Sequence, residues 1–227
     1  GGSPVSAKLF IIGILDDGWA GLGDAARQAL AGAGLIIGVG RTLELVKAQL
    51  PAVETRDMDG ALTKSPAWIQ AARAEGKSVA VLATGDPLCH GIASYLLGKL
   101  GRDAVEILPA PSTLQIAFAR WQKPWQDVTI ASCHSKDAGE WVAGATPAHG
   151  LYPLMRAIAL NARVFAFTSP ENDPARLARA LITAGYSESV RLSVAGNLLL
   201  PDEIIHKDLS AVDAEKLQIS GPSVVLV

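Results

Sequence analysis

Residues 79–101 read VAVLATGDPLCHGIASYLLGKLG. An apolar, β-branched run ends abruptly on Thr84-Gly85-Asp86-Pro87, and an Ala/Leu-rich stretch with helical spacing follows over 90–100. Continuous rather than alternating hydrophobicity predicts a strand covered on both faces. Glycine reaches backbone angles denied to other residues, while proline fixes φ and suits the first turn of a helix. The stretch therefore reads as strand, sharp corner, helix, with Asp86 placed to cap the helix.

The same rhythm extends in both directions. Apolar runs at 8–14, 35–39, 78–83, 104–108, 127–131, 163–168, 189–194 and 222–227 predict strands. Helical spacing over 20–32, 41–49, 65–75, 90–100, 112–120, 151–160 and 173–184 fills the gaps. This alternation predicts α/β layers with mainly parallel sheets. The texture changes at 109–127, PAPSTLQIAFARWQKPWQD, where three prolines and two tryptophans interrupt it. We read a junction there, giving two α/β domains, 1–117 and 118–227. Residues 133–150 have no clear period and read as a loop, with or without a short helix.

Composition narrows the class. The 227 residues carry a formal charge of −2, without the clustered positive excess of nucleic-acid binders. Two cysteines, Cys89 and Cys133, are too few for a disulfide framework and suit a reducing cytoplasm. That charge balance predicts no nucleic-acid partner, and since no run approaches eighteen uninterrupted apolar residues no membrane partner is expected either. Gly1-Gly2-Ser3 carries no pattern and is left out of the fold reading.

Ligands of open α/β sheets sit where strands lead into helices. Gly13-Ile14-Leu15-Asp16-Asp17-Gly18 has Leu15 where a dinucleotide fingerprint needs its second glycine, and no acid follows the second strand to hold a ribose. Gly76-Lys77-Ser78 precedes a strand rather than following one, which rules out a phosphate loop. Cys89-His90 and Cys133-His134 offer metal-ligand types but no ligand spacing, and no metal is expected. Pro111-Ser112-Thr113 opens a helix with hydroxyls suited to capping or to a ligand.

Together these motifs resemble the tetrapyrrole (corrin/porphyrin) methylase family. The likeness is carried by IIGILDDGWAGL (11–22), ATGDPLCHGIASYL (83–96), PSTLQIAFARW (111–121), SCHSK (132–136), FTSPENDPARLARALITAGY (167–186), GNLLLPDEII (196–205) and GPSVVLV (221–227). The resemblance implies two α/β domains with S-adenosyl-L-methionine in the cleft between them, S-adenosyl-L-homocysteine as product, and a homodimer. It implies transfer of a methyl group to a ring carbon, in particular C5 of precorrin-6Y or a related tetrapyrrole in cobalamin biosynthesis. Matched by position, the cofactor contacts are Asp16, Thr84, Gly85, Asp86, Cys89, Ser112, Thr113, the neighbourhood of Phe167, and Ala195-Gly196. Two departures stand out: Leu15 replaces a glycine, and Ala195-Gly196 stands where relatives often carry an acid before Asn197.

The resemblance also implies a polycarboxylate substrate, so a basic rim is expected, with Arg120, Lys123, His134 and Lys136 as its candidates. Asp17 is the candidate base. Trp121 and Trp125 are candidates either to cover the ring system or to pack the core. A C15-methylating, decarboxylating partner domain belongs to some members, and the chain is read either as part of such an enzyme or as a free-standing C5 enzyme. Methylation at another tetrapyrrole position, a nicotinamide oxidoreductase and a non-catalytic module are the competing readings. Binding of S-adenosylhomocysteine, of a dinucleotide or of neither separates the last two from the first.

Overall fold

The computed structural model describes residues 7–88, 91–133 and 137–227. The chain divides into two compact units, Gly1–Ser112 and Thr113–Val227. A boundary at 117/118 would cut through a helix that belongs wholly to the second unit.

In the first unit β1 (Leu9–Ile14), β2 (Leu35–Gly38), β3 (Glu54–Asp57), β4 (Val79–Thr84) and β5 (Val105–Leu108) form one sheet in the order β3-β2-β4-β1-β5. All four pairings are parallel. The helices are α1 (Asp24–Gly32), α2 (Gly40–Lys47), α3 (Ser65–Ala74) and α4 (Ile92–Leu100). Side chains alternate across the sheet with period two. Leu9, Ile11, Val79 and Val81 pack with Ile69 of α3 and Leu96 of α4. Ile12, Ile14, Ala80 and Leu82 pack with Leu30 of α1 and Val46 of α2. Both faces of β1 and β4 are thus buried, which is why their sequences are continuously apolar.

The second unit contains α5 (Thr113–Trp121), β6 (Thr129–Ser132), α6 (Tyr152–Leu160), β7 (Val164–Phe167), α7 (Pro174–Thr183), β8 (Leu192–Gly196), β9 (Ile204–Leu209), α8 (Ala211–Ala214) and β10 (Ser223–Leu226). Its sheet order is β6-β7-β10-β8-β9. Only β6 and β7 are parallel; β10 runs antiparallel to both β7 and β8, and β8 and β9 are antiparallel. Parallel pairing therefore predominates over the two sheets together, while the second sheet is mixed. One face packs under α6, α7 and α8 through Val164, Ala166, Leu192, Val194 and Val225. The other packs under α5 through Phe165, Ala195, Val224 and Leu226.

Trp121 is fully buried in that second layer. Its indole N–H donates to the Val194 carbonyl at 3.4 Å, and its ring meets Phe118 edge-on at 5.3 Å. It is a core residue, not a cover for a ligand, whereas Trp125 is exposed. Among the described residues no helix is long and apolar enough to cross a membrane.

Candidate functional site

The carboxyl edge of the first sheet is drawn together around one glycine. A Cβ on Gly13 would run into the Gly85 carbonyl and sit 2.7 Å from the Ala110 nitrogen. Only a residue without a side chain lets the loops after β4 and β5 close onto β1. The Gly85 N–H then donates to the Ile14 carbonyl at 3.0 Å, tying the β4 loop to the end of β1. Gly85 itself sits at φ +72°, a left-handed conformation that glycine adopts freely. Asp16, Gly85 and Pro111-Ser112 are thereby brought to one edge.

Each side chain there has a defined role. Asp86 Oδ1 accepts the Leu88 N–H at 2.9 Å, closing a local turn. The expected helix cap is corrected accordingly: α4 begins at Ile92 behind Gly91, and Asp86 bonds two residues ahead in the loop instead. The Asp16 carboxylate, half-buried, forms an ion pair with Arg41 in the first turn of α2. Asp17 is exposed and opens the short 3-10 turn Gly18–Gly21, its carboxylate lying over Gly21 in space that a Cβ there would fill. Thr84 is exposed at the end of β4, and Ser112 is buried just before α5, whose first residue is Thr113. Cys89 lies outside the described residues.

The second unit has a corresponding edge. Phe167, Val224 and Ala195 lie side by side across β7, β10 and β8, with Gly196 beside Ser223. The Cys133 N–H donates to the Phe167 carbonyl at 3.1 Å. Burial pushes the Cys133 thiol up to about 12, so it is a poor nucleophile at neutral pH. Beyond β8, Asn197 adopts φ +50° and its amide donates to Asp202 Oδ2 at 3.1 Å and to the Ser220 carbonyl at 2.8 Å. That network fixes the loop carrying Ala195-Gly196.

The expected basic rim is divided. Arg120 pairs with Glu203 at 3.1 Å, and Glu203 immediately precedes Ile204, the partner of Gly196. The Leu199 N–H first, and the Arg120 guanidinium with it, hold the Glu203 carboxyl below the usual carboxylate range. Lys123 instead pairs with Asp208 at 2.8 Å, and Asp208 bonds to Ser193 at the far end of β8. Some three residues of strand, about 10 Å, separate it from Gly196. His134 and Lys136 lie outside the described residues.

Sequence reading missed the partners of these groups: Arg41, Glu203 and a clamp on the loop after β6. In that clamp Arg176 of α7 binds Asp137 at 2.8 Å, and Arg179 binds Glu140 through Nε at 3.1 Å and Nη2 at 2.7 Å. The buried His149 accepts the Leu151 N–H on Nδ1 at 3.1 Å, which leaves Nε2 to donate to the Gly139 carbonyl at 3.2 Å. Asp173-Pro174, a capping residue followed by a first-turn proline, is a local signal that could have pointed to α7, but nothing local points to its arginine partners. Among the described residues no group of three His, Cys, Asp or Glu could hold a metal ion.

Loops of main-chain amides and short polar side chains at the carboxyl ends of strands are the means by which α/β enzymes hold small polar ligands. Sequence comparison then sets the family. The profile of the tetrapyrrole (corrin/porphyrin) methylases matches residues 8–212, and the chain belongs to that family. It is 35% identical over 190 residues to a precorrin-6Y C(5,15)-methyltransferase [decarboxylating] of Sinorhizobium sp, covering 84% of this chain and 42% of that one. The chain therefore spans about two fifths of that relative's length. A cobalt-precorrin-7 C(5)-methyltransferase of Salmonella typhimurium is 31% identical over 150 residues, 65% of each chain. The fold is that of the crystal structure of a cobalamin biosynthesis precorrin-6Y methylase from Archaeoglobus fulgidus, with a TM-score of 0.60 and 21% identity over 97% of each chain.

Proposed function

We infer that the chain is an S-adenosylmethionine-dependent C-methyltransferase acting on a precorrin in cobalamin biosynthesis, and that it methylates C5 of precorrin-6Y or a closely related tetrapyrrole. The observation that carries this reading is the convergence of the β1, β4 and β5 loops on Gly13, together with identity to relatives named for C5 methylation. The residues present fit the donor. A Cβ added at Gly85 would meet nothing nearer than 3.9 Å, at Pro111 O and Ser112 Cα, so a ligand has room to approach the main chain there.

When bound, S-adenosylmethionine supplies a methyl group on a positive sulfonium, which an electron-rich ring carbon attacks in line. The protein's task is to hold the two reactants at near-attack distance and exclude water, which contributes about 7 to 11 kcal/mol of barrier lowering. Thr84, Gly85, Asp86, Ser112 and Thr113 are residues we assign to the donor, as are Phe167, Ala195 and Gly196. Asp17, exposed at the head of its turn, is assigned to proton removal, and Arg120 to a substrate carboxylate. The reading includes a cytoplasmic homodimer, which sedimentation velocity tests.

The decisive experiment incubates the chain with precorrin-6Y and methyl-labelled donor and reads the product by NMR. Label at C5 is expected. Label at C15, or no transfer despite tight donor binding, overturns the assignment.

A further inference from the structure

The amino end of β8 carries a polar cavity that none of the roles above employs. It has a volume of about 360 Å³, within the usual range of small-molecule sites, and Lys123, Arg163, Tyr186, Arg191, Ser193 and Asp208 are among its lining residues. All of them belong to the second unit. Leu192 pairs with Leu209 at this end of β8, whereas Gly196 pairs with Ile204 at the other, so the cavity is remote from the edge assigned to the donor. Three of the lining side chains are cationic, and the one carboxylate side chain, that of Asp208, is engaged by Lys123 at 2.8 Å. Arg163 is held by Asp127 and by the Pro124 carbonyl. Arg191 is exposed and has no hydrogen-bond or ion-pair partner among the described residues.

An unpaired surface arginine is ordinary; the serine that lines the cavity with it is not. Ser193 is only 2% exposed, and its Oγ accepts the Asp208 N–H at 3.0 Å. Its own O–H has no acceptor among the described residues, and a buried donor left unused carries a desolvation penalty. The local backbone produces this arrangement: the β8–β9 register shifts between Leu192 and Val194, and Asp208 adopts φ +55°. Irregularities of this kind re-aim side chains out of the ladder. The hydroxyl of Tyr186, on the turn after α7, likewise has no partner among the described residues. We propose that this cavity is an anion site that takes a phosphate group, free or carried by a small molecule. Arg191 and Ser193 donate to its oxygens, and Lys123 and Arg163 add positive potential. One guanidinium fork satisfies the two coplanar oxygens of a carboxylate, whereas the three terminal oxygens of a phosphate accept from several directions, as Arg191, Ser193 and Tyr186 require. The proposal is independent of the methyltransferase reading, since it uses neither the donor nor the carboxyl edge.

The test titrates the full chain with inorganic phosphate and with glycerol 3-phosphate at constant ionic strength, read by calorimetry and by amide NMR shifts. Saturable binding is expected, with shifts centred on residues 186–193 and 208 and unaffected by saturating S-adenosylhomocysteine. Tighter binding of the ester identifies an organic phosphate as the ligand, and equal binding the free ion. Arg191→Ala, a change at an exposed side chain, should retain the fold and weaken binding about tenfold, typical of a lost charge-assisted hydrogen bond. Arg191→Lys, which keeps the charge but not the fork, should fall between the two. Arg102→Ala, at an exposed arginine of the first unit, should leave binding unchanged. The proposal is overturned if neither phosphate binds saturably, if the shifts centre elsewhere, or if acetate binds as tightly. It is overturned equally if Arg102→Ala weakens binding as much as Arg191→Ala, because net charge alone would then account for the effect.

Discussion

Gly13 gives the sharpest test of how the first unit builds its ligand edge. In Gly13→Ala the new methyl carbon would overlap the Gly85 carbonyl and lie 2.7 Å from the Ala110 nitrogen and 2.9 Å from the Ala110 Cβ, where ordinary contact begins at 3.4 Å. All three atoms belong to the main chain or its first side-chain carbon, so no flexible side chain can swing away. The β4 and β5 loops must each retreat by several tenths of an ångström, which also stretches the 3.0 Å bond from the Gly85 N–H to the Ile14 carbonyl. Overpacking of this kind costs about 3 kcal/mol, the upper end of its usual range, because the obstruction is backbone on two sides. Gly98→Ala is the matched control. Gly98 lies inside α4, and a Cβ there meets nothing within 4 Å, so the same added methyl should stabilise by about 1 kcal/mol through helix propensity alone. Urea unfolding followed by circular dichroism reads both, and S-adenosylhomocysteine calorimetry reads the loops. Opposite shifts in midpoint are expected, with ligand affinity lost only in Gly13→Ala. If Gly13→Ala unfolds within about 0.5 kcal/mol of the native chain, smaller than any overpacking cost, the convergence of loops on that residue is wrong.

Three further outcomes follow from groups on the second unit. Asp173→Ala removes the cap on α7 and should cost about 1 kcal/mol in thermal or urea unfolding, with Asp173→Asn recovering most of it. The Arg179 guanidinium holds Glu140 below its ordinary value of 4.5, so the pair's contribution is complete above that pH and is lost as pH falls through the lowered folded value. Limited proteolysis of residues 137–149 should accelerate only in that acid window, and Glu140→Gln should show the fast rate at neutral pH as well. Cys133, its thiol pushed up to about 12 by burial, should react with a thiol reagent at pH 8 far more slowly in the folded chain than in urea. Its neutral thiol favours the fold below the ordinary value of 9.0, and that advantage declines as pH rises from there toward about 12.

The strands legible in the sequence were those whose burial leaves a continuous apolar signature. β1, β4, β8 and β10 are covered on both faces, and their runs coincide with their observed bounds to within a few residues. β3 reads Glu54-Thr55-Arg56-Asp57 and is exposed along its whole length at the sheet edge, so pairing with β2 through main-chain bonds is all that makes it a strand. β9 begins with Ile204-Ile205 and continues through His206, Lys207 and Asp208, which matches neither a buried run nor an alternation. Strand direction was the harder loss. Hydrophobic runs report which faces are covered, and Val224 or Val225 is covered alike whether β10 runs with β7 or against it. The mixed second sheet was for that reason invisible in the pattern that correctly signalled the first.

The site divides along the same physical line. Gly85 could be singled out because a left-handed turn and a close main-chain approach restrict residue type, and that restriction is written in the sequence itself. Arg41, Glu203 and Arg179 are tied to Asp16, Arg120 and Glu140 by contacts across 25, 83 and 39 residues, and nothing local distinguishes them from other surface charges. Charge alone could not tell Arg120 from Lys123 in the expected rim. Arg120 and Lys123 are three residues apart on the chain, yet their carboxylate partners, Glu203 and Asp208, sit at opposite ends of β9. A cation's usefulness to a polycarboxylate ligand depends on which end of a strand its partner occupies. That is fixed by the β8–β9 register, with its irregularity between Leu192 and Val194, and not by spacing along α5.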